Sequence, residues 1–177
     1  VEAYPFVWDI INEMLPVNND LWVTTAGAGL WKIDTVTGQV STTPAPLHFN
    51  MHGISQHGSD LVIGLMGTGS TAAGVQVYNT TTQSWTDGAL LAGLPSNIVR
   101  DFALYDNRIW IATYGGIGVW NLSSQAWDDS VTTQNGLLHG FVEHIWVENG
   151  ELMLGTPSGL TRWNVASNSV TATYDRS

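Results

Sequence analysis

One six-residue pattern constrains this chain more than any other feature: Gly, an apolar residue, two free positions, a large apolar residue, then Asp or Asn. It occurs as Gly29-Leu30-Trp31-Lys32-Ile33-Asp34, Gly74-Val75-Gln76-Val77-Tyr78-Asn79, Gly116-Ile117-Gly118-Val119-Trp120-Asn121 and Gly159-Leu160-Thr161-Arg162-Trp163-Asn164. Seven positions after each large apolar residue comes another: Val40, Trp85, Trp127 and Val170. The copies start 45, 42 and 43 residues apart, an internal repeat at a period typical of solenoids and propellers.

Upstream of each copy lie two further apolar runs. Ile10-Ile11 leads to Leu21-Trp22-Val23, Ile98-Val99 to Ile109-Trp110-Ile111, and Phe141-Val142 to Leu152-Met153-Leu154, each with a spacing of eleven. The second unit is looser, running from Met51-His52-Gly53-Ile54 to Leu61-Val62-Ile63, and carries an insertion from Gly67 to Ala73. Every unit is thus four short runs, here named A to D, separated by turn formers such as Asp106-Asn107 and Asn149-Gly150. Runs B and C are apolar on both alternating faces, as strands covered on both sides must be. A four-stranded antiparallel sheet packed between copies of itself is a propeller blade. The expected fold is therefore all-β, a β-propeller with four blades at about 7–41, 48–86, 95–128 and 138–174 in a single 1–177 unit. The blades either close a four-bladed ring or form part, or half, of a seven- or eight-bladed one. Trp120→Ala is expected to cost ~3–5 kcal/mol as a buried large-to-small change.

The runs Leu94-Pro95-Ser96-Asn97-Ile98-Val99 and Arg108-Ile109-Trp110-Ile111-Ala112-Thr113-Tyr114-Gly115-Gly116-Ile117 resemble the two-component regulator propeller repeat. So does Gly155-Thr156-Pro157-Ser158-Gly159-Leu160-Thr161-Arg162-Trp163. The likeness is strong in units three and four, fair in one and weak in two. It departs where the acidic residue before the A–B turn, Asp106 and Glu148 in two units, is missing from the first two. The resemblance implies a propeller of the kind found in exported sensor regions that bind ligands without catalysing a reaction. It carries architecture further than function.

Charge narrows the partners. Net charge is −10, from five basic and fifteen acidic residues, so a phosphate backbone would be repelled and nucleic acid is excluded as a partner. No apolar run reaches the ~18 residues of a membrane helix, and no insertion into a membrane is expected. A polar, acidic surface with a single Lys suits an extracellular, periplasmic or cell-surface protein. The chain starts at Val1, which reads as a trimmed or processed piece. An incomplete ring would leave apolar blade edges open to self-association.

Chemistry is expected on one face of the disc. The A–B and C–D turns are short, whereas the B–C and D–A connections carry all the length variation, the usual mark of a binding face. The candidate ligand contacts there are His48, Phe49, Asn50, His52, Thr68, Ser70, Thr71, Tyr114, Asn135, His139, Pro157 and Ser158. Aromatics beside hydroxyls and amides suit a carbohydrate or a protein segment. Innermost positions align as Asn12-Glu13, Arg100-Asp101 and Glu143-His144. Glu13, Asp101 and His144 form a weak candidate ring for a cation, read more simply as solvated channel residues. Glu13 and Asp101 are also the pair a glycan hydrolase or lyase would need, as a second reading. A third is a structural segment of a larger surface assembly. No cofactor is expected: Gly67-Thr68-Gly69-Ser70 has no following Lys for a phosphate loop, and no Gly-x-Ser-x-Gly elbow occurs. Asn79 and Asn121 head glycosylation sequons at positions where the repeat already demands Asn.

Overall fold

The computed structural model describes residues 10–46, 49–66, 74–85, 93–124 and 126–175. Among the described residues sixteen strands form four separate antiparallel sheets of four. The first sheet holds β1 (Ile11–Val17), β2 (Asp20–Thr25), β3 (Leu30–Asp34) and β4 (Val40–Thr42), and the second β5 (Met51–His57), β6 (Asp60–Leu65), β7 (Gly74–Asn79) and β8 (Ser84–Trp85). The third holds β9 (Val99–Tyr105), β10 (Arg108–Thr113), β11 (Gly116–Asn121) and β12 (Ala126–Trp127), and the fourth β13 (His144–Glu148), β14 (Glu151–Thr156), β15 (Gly159–Asn164) and β16 (Ser169–Asp175). Each sheet is a plain up-and-down meander, and the first strands β1, β5, β9 and β13 are neighbours in that order along the channel. This is the propeller blade the repeat implies. Among the described residues the single helical turn is a 3-10 segment, Thr133–Asn135, between the third and fourth blades.

The repeated residues each have a mechanical task. The closing Asp34, Asn79, Asn121 and Asn164 turn their side-chain Oδ1 onto main-chain N–H groups two or three residues on, at 2.8–3.1 Å, and so build the C–D turn. The opening glycine is required by both backbone and space: at Gly116 φ is +129°, and a Cβ would lie 2.4 Å from the carbonyl oxygen of Val131. The amides of Asn79 and Asn121 are themselves occupied, donating to Ser59 and Asp60 and to Asp128 respectively, which fits a turn role for both sequons.

Packing between blades follows one rule. The third residue of β2, β6 and β10 points to the following blade, and the second and fourth of β6, β10 and β14 point back to the preceding one. Three cores result. One joins blades one and two through Trp22, Leu61, Ile63 and Tyr78. Another joins two and three through Val62, Phe102, Ile109 and Ile111. The largest joins three and four through Trp110, Leu152, Leu154 and Trp163. Among the described residues no core joins blade four to blade one, and Trp146 and Tyr174 on the far face of blade four remain 44% and 54% exposed. One expectation needs correction here. Trp120 is half-buried, because it borders a cavity, whereas its counterpart Trp163 is 1% exposed.

Candidate functional site

The first strands of three blades depart from regular pairing at the same level. Register shifts fall between Ile11 and Glu13, between His52 and Ile54, and opposite Ala112 and Thr113 where Arg100 is the extra residue. A bulge re-aims the side chains beside it, a device common next to binding sites. Here the result is a cavity of about 290 Å³ at the mouth of the channel, lined by Asn12, Glu13, His52, Gly53, Arg100, Asp101, Glu143 and His144. It lies where the first strands begin and the second strands end, on the B–C/D–A face.

Two of its carboxylates also tie neighbouring blades together. Glu13 Oε2 accepts the N–H of Ile54 at 3.1 Å, and Asp101 Oδ2 accepts that of Ile145 at 3.0 Å, in each case from the following blade. Asp101 Oδ1 accepts from its neighbour Phe102 at 2.8 Å, and His144 Nδ1 stands 3.6 Å from Oδ2. Asn12 adds a further tie, donating to the carbonyl of Met51 at 2.7 Å. Burial, then the nearby Asp101 charge, pushes the Glu13 carboxyl up to about 7 against the opposing hydrogen bond from Ile54. Burial likewise raises Asp101, with the N–H donors and His144 pulling the other way. His52 is driven down to about 4 by burial and then by the Arg100 charge, so it is neutral at ordinary pH.

Arg100 is the link between the channel and the loops. Its Nη1 meets His52 Nδ1 at 3.4 Å, its guanidinium lies 5.7 Å from the Tyr114 ring centre, and its Nε is buried without a partner among the described residues. Tyr114 stacks on Phe141, with ring centres 4.7 Å apart and planes 17° apart. His139 meets Phe141 edge-on at 4.8 Å and accepts the Phe141 N–H at 2.9 Å. A continuous ridge, His52–Arg100–Tyr114–Phe141–His139, therefore runs from the cavity to the blade-three-to-four loop, with Phe141 44% exposed at its crest.

Of the residues expected from sequence, the fold brings His52, Tyr114 and His139 into this ridge. Phe49 is exposed beside the B–C turn of blade one, where its carbonyl accepts from Gly27 and Gly29, and Asn50 bridges Ala26 nearby. Pro157 and Ser158 form the B–C turn of blade four. Asn135 sits in the 3-10 turn, where its Oδ1 accepts from the Thr132 N–H at 2.8 Å as half of a capping box, so its side chain is committed to the loop. His48, Thr68, Ser70 and Thr71 lie outside the described residues. Glu13, Asp101 and His144 share the cavity, yet among the described residues no three His, Cys, Asp or Glu side chains converge as metal ligands. Sequence reasoning missed Phe141, which stands at the scaffold position that Ile10 and Ile98 hold in other units. The signal was an aromatic residue directly after Gly140, at the edge of a variable loop.

No protein-family profile matches the sequence, and no curated protein matches it. Solved structures do share its fold. The extracellular domain of the hybrid two-component system BT3049 from B. thetaiotaomicron aligns with a TM-score of 0.73 and 21% identity, over 93% of this chain and 24% of that one. The extracellular domain of the one-component system BT4673 from the same organism gives 0.76 and 18%, over 92% of this chain and 21% of that one. The computationally designed protein Ika4 gives 0.66 and 14%, over 93% of this chain and 95% of that one. This chain thus spans under a quarter of the two extracellular domains, and the shared fold is the propeller expected from its repeat. Among the described residues no helix is long and apolar enough to cross a membrane.

Proposed function

We propose that this chain is a non-enzymatic, sensor-like binding module of an exported or cell-surface protein, and that it takes a carbohydrate at the channel mouth on its B–C/D–A face. The observation that carries this is the Tyr114–Phe141 stack, with Tyr114 half-buried and Phe141 exposed, adjoining a cavity of mixed donors and acceptors. A sugar ring offers an apolar C–H face for stacking and hydroxyls for hydrogen bonding. Arg100 supplies donors, while Glu13, Asp101 and Glu143 supply acceptors. Titration of a glycan panel by calorimetry tests the reading. Any glycan that binds should lose at least about tenfold in affinity with Phe141→Ala. Panel-wide silence, or binding indifferent to both Phe141→Ala and Tyr114→Ala, would remove it in favour of a protein partner.

One observation favours the catalytic alternative: a carboxyl raised to about 7 beside a second carboxylate has the protonation behaviour of a general acid. Against it, both carboxylates are engaged with the main chain of the next blade. Glu13→Gln and Asp101→Asn separate the two readings, since an enzyme would keep affinity and lose turnover. The exposed Trp146 and Tyr174 on the last blade support self-association through that face with a second copy. Sedimentation velocity across a micromolar range tests it, a concentration-independent monomer being the contrary result.

A further inference from the structure

The interface between blades two and three is missing an aromatic ring. The third residue of the second strand is Trp22 in blade one and Trp110 in blade three, but Val62 in blade two. Its opposite number is the fifth residue of the third strand in the next blade: Tyr78, Trp120 and Trp163 in turn. Between blades one and two, Trp22 lies 5.7 Å from Tyr78, which also meets Trp85 at 5.0 Å, so three rings pack together. Between blades three and four, Trp110 and Trp163 share one core. Between blades two and three, Trp120 meets Trp127 at 5.2 Å, but the place of the third ring is a cavity of about 120 Å³. Its walls are Val62, Val77, Ile109, Ile111 and Trp120, and His57 and Asp60 form a polar rim. That rim flanks the β5–β6 turn, on the disc face opposite the channel-mouth site.

An open apolar pocket of this kind leaves its walls without the dispersion contacts that a ring would supply, and even a closed cavity of about 150 Å³ lined by aliphatic and aromatic groups takes up benzene. We infer that this cavity is a binding site for a small planar aromatic molecule of indole size with a single hydrogen-bond donor, which completes the ring cluster on Trp120 and turns its donor to the His57–Asp60 rim. The site is independent of the channel mouth and of what binds there.

Indole is the probe, titrated into the full chain while thermal unfolding and intermolecular NOEs are followed. A saturable rise in Tm is expected, with NOEs from indole to the methyl groups of Val62, Val77, Ile109 and Ile111. Val62→Trp installs the side chain that blades one and three carry and should abolish the response. Should that variant not fold, Val62→Met, the residue type of blade four, takes its place and should bind indole several-fold more weakly. The inference is overturned by a wild-type Tm that does not respond, by NOEs that map elsewhere, or by a filled variant that binds as the wild type does.

Discussion

The contact between blades three and four and the contact between blades two and three are built from the same repeat, yet they differ in two ways at once. The first has an indole at the strand-two position, Trp110, and a carboxylate clamp, Asp101 onto Ile145. The second has Val62, and at the clamp position it has Gly53, whose absent Cβ leaves room for the Phe102 ring. Blades one and two repeat the first arrangement with Trp22 and Glu13. The interfaces therefore alternate, and the blades group as two pairs joined by a leaner seam. A repeat sets the geometry of each contact, while single residues within it decide how much energy each contact carries.

The largest expected effect probes the dense side of this contrast. Trp163→Ala should cost ~3–5 kcal/mol, and Trp120→Ala at the lean seam well under half that, because Trp120 already borders empty space. Urea unfolding of both variants measures the gap, and equal losses would erase the distinction. Next comes the clamp. Asp101→Ala leaves the Ile145 N–H without its acceptor and should cost ~1–3 kcal/mol, with Ile145 losing protection in hydrogen exchange. No protection change at Ile145 would show that the clamp is incidental. Smaller, and opposite in sign, is Val62→Trp, which should raise stability by ~0.5–2 kcal/mol by filling the seam. A destabilised but folded variant would mean that the two blades cannot separate enough to admit the ring.

The smallest effect is a pair of cancelling titrations at the channel mouth. Glu13 binds its proton more tightly folded than unfolded, with its pKa raised from 4.5 to about 7, so its contribution is complete at low pH and is lost as pH rises through about 7. His52 is lowered from 6.5 to about 4, so its contribution is present above 6.5 and is lost as pH falls through about 4. The two oppose each other across most of that window. Wild-type Tm should therefore vary little between them, whereas Glu13→Gln should gain stability as pH rises from 4 to 6.5. His52→Asn should lose stability as pH rises from 4.5 to 7. Parallel pH profiles for both variants would place the titrating groups elsewhere.

Much of the site's location was legible and little of its composition. Length variation confined to the B–C and D–A connections pointed to the face where Tyr114, His139 and His52 stand, since loops there are free of the spacing that the sheets impose. Asn135 caps its own loop, and a capping amide and a ligand-seeking amide look alike in one dimension. Phe141 was passed over because the repeat's pattern reads its position as plain apolar scaffold, whereas the fold leaves it 44% exposed, as it leaves its counterpart Ile10 69% exposed.

The residues taken alone determined the blade: alternating apolar faces, a glycine before each third strand and an Asx turn after it leave a sheet that must be covered on both sides. Those are local rules of period and backbone conformation, and they repeat whenever the pattern does. Only the packed molecule decided that Val62 faces Trp120 across a gap and that Glu13 and Asp101 hold the next blade. It alone set an arginine from blade three between a histidine from blade two and the aromatic stack. Such facts depend on which side chains from distant turns of the chain come within a few ångströms, and no periodicity in one strand contains that information.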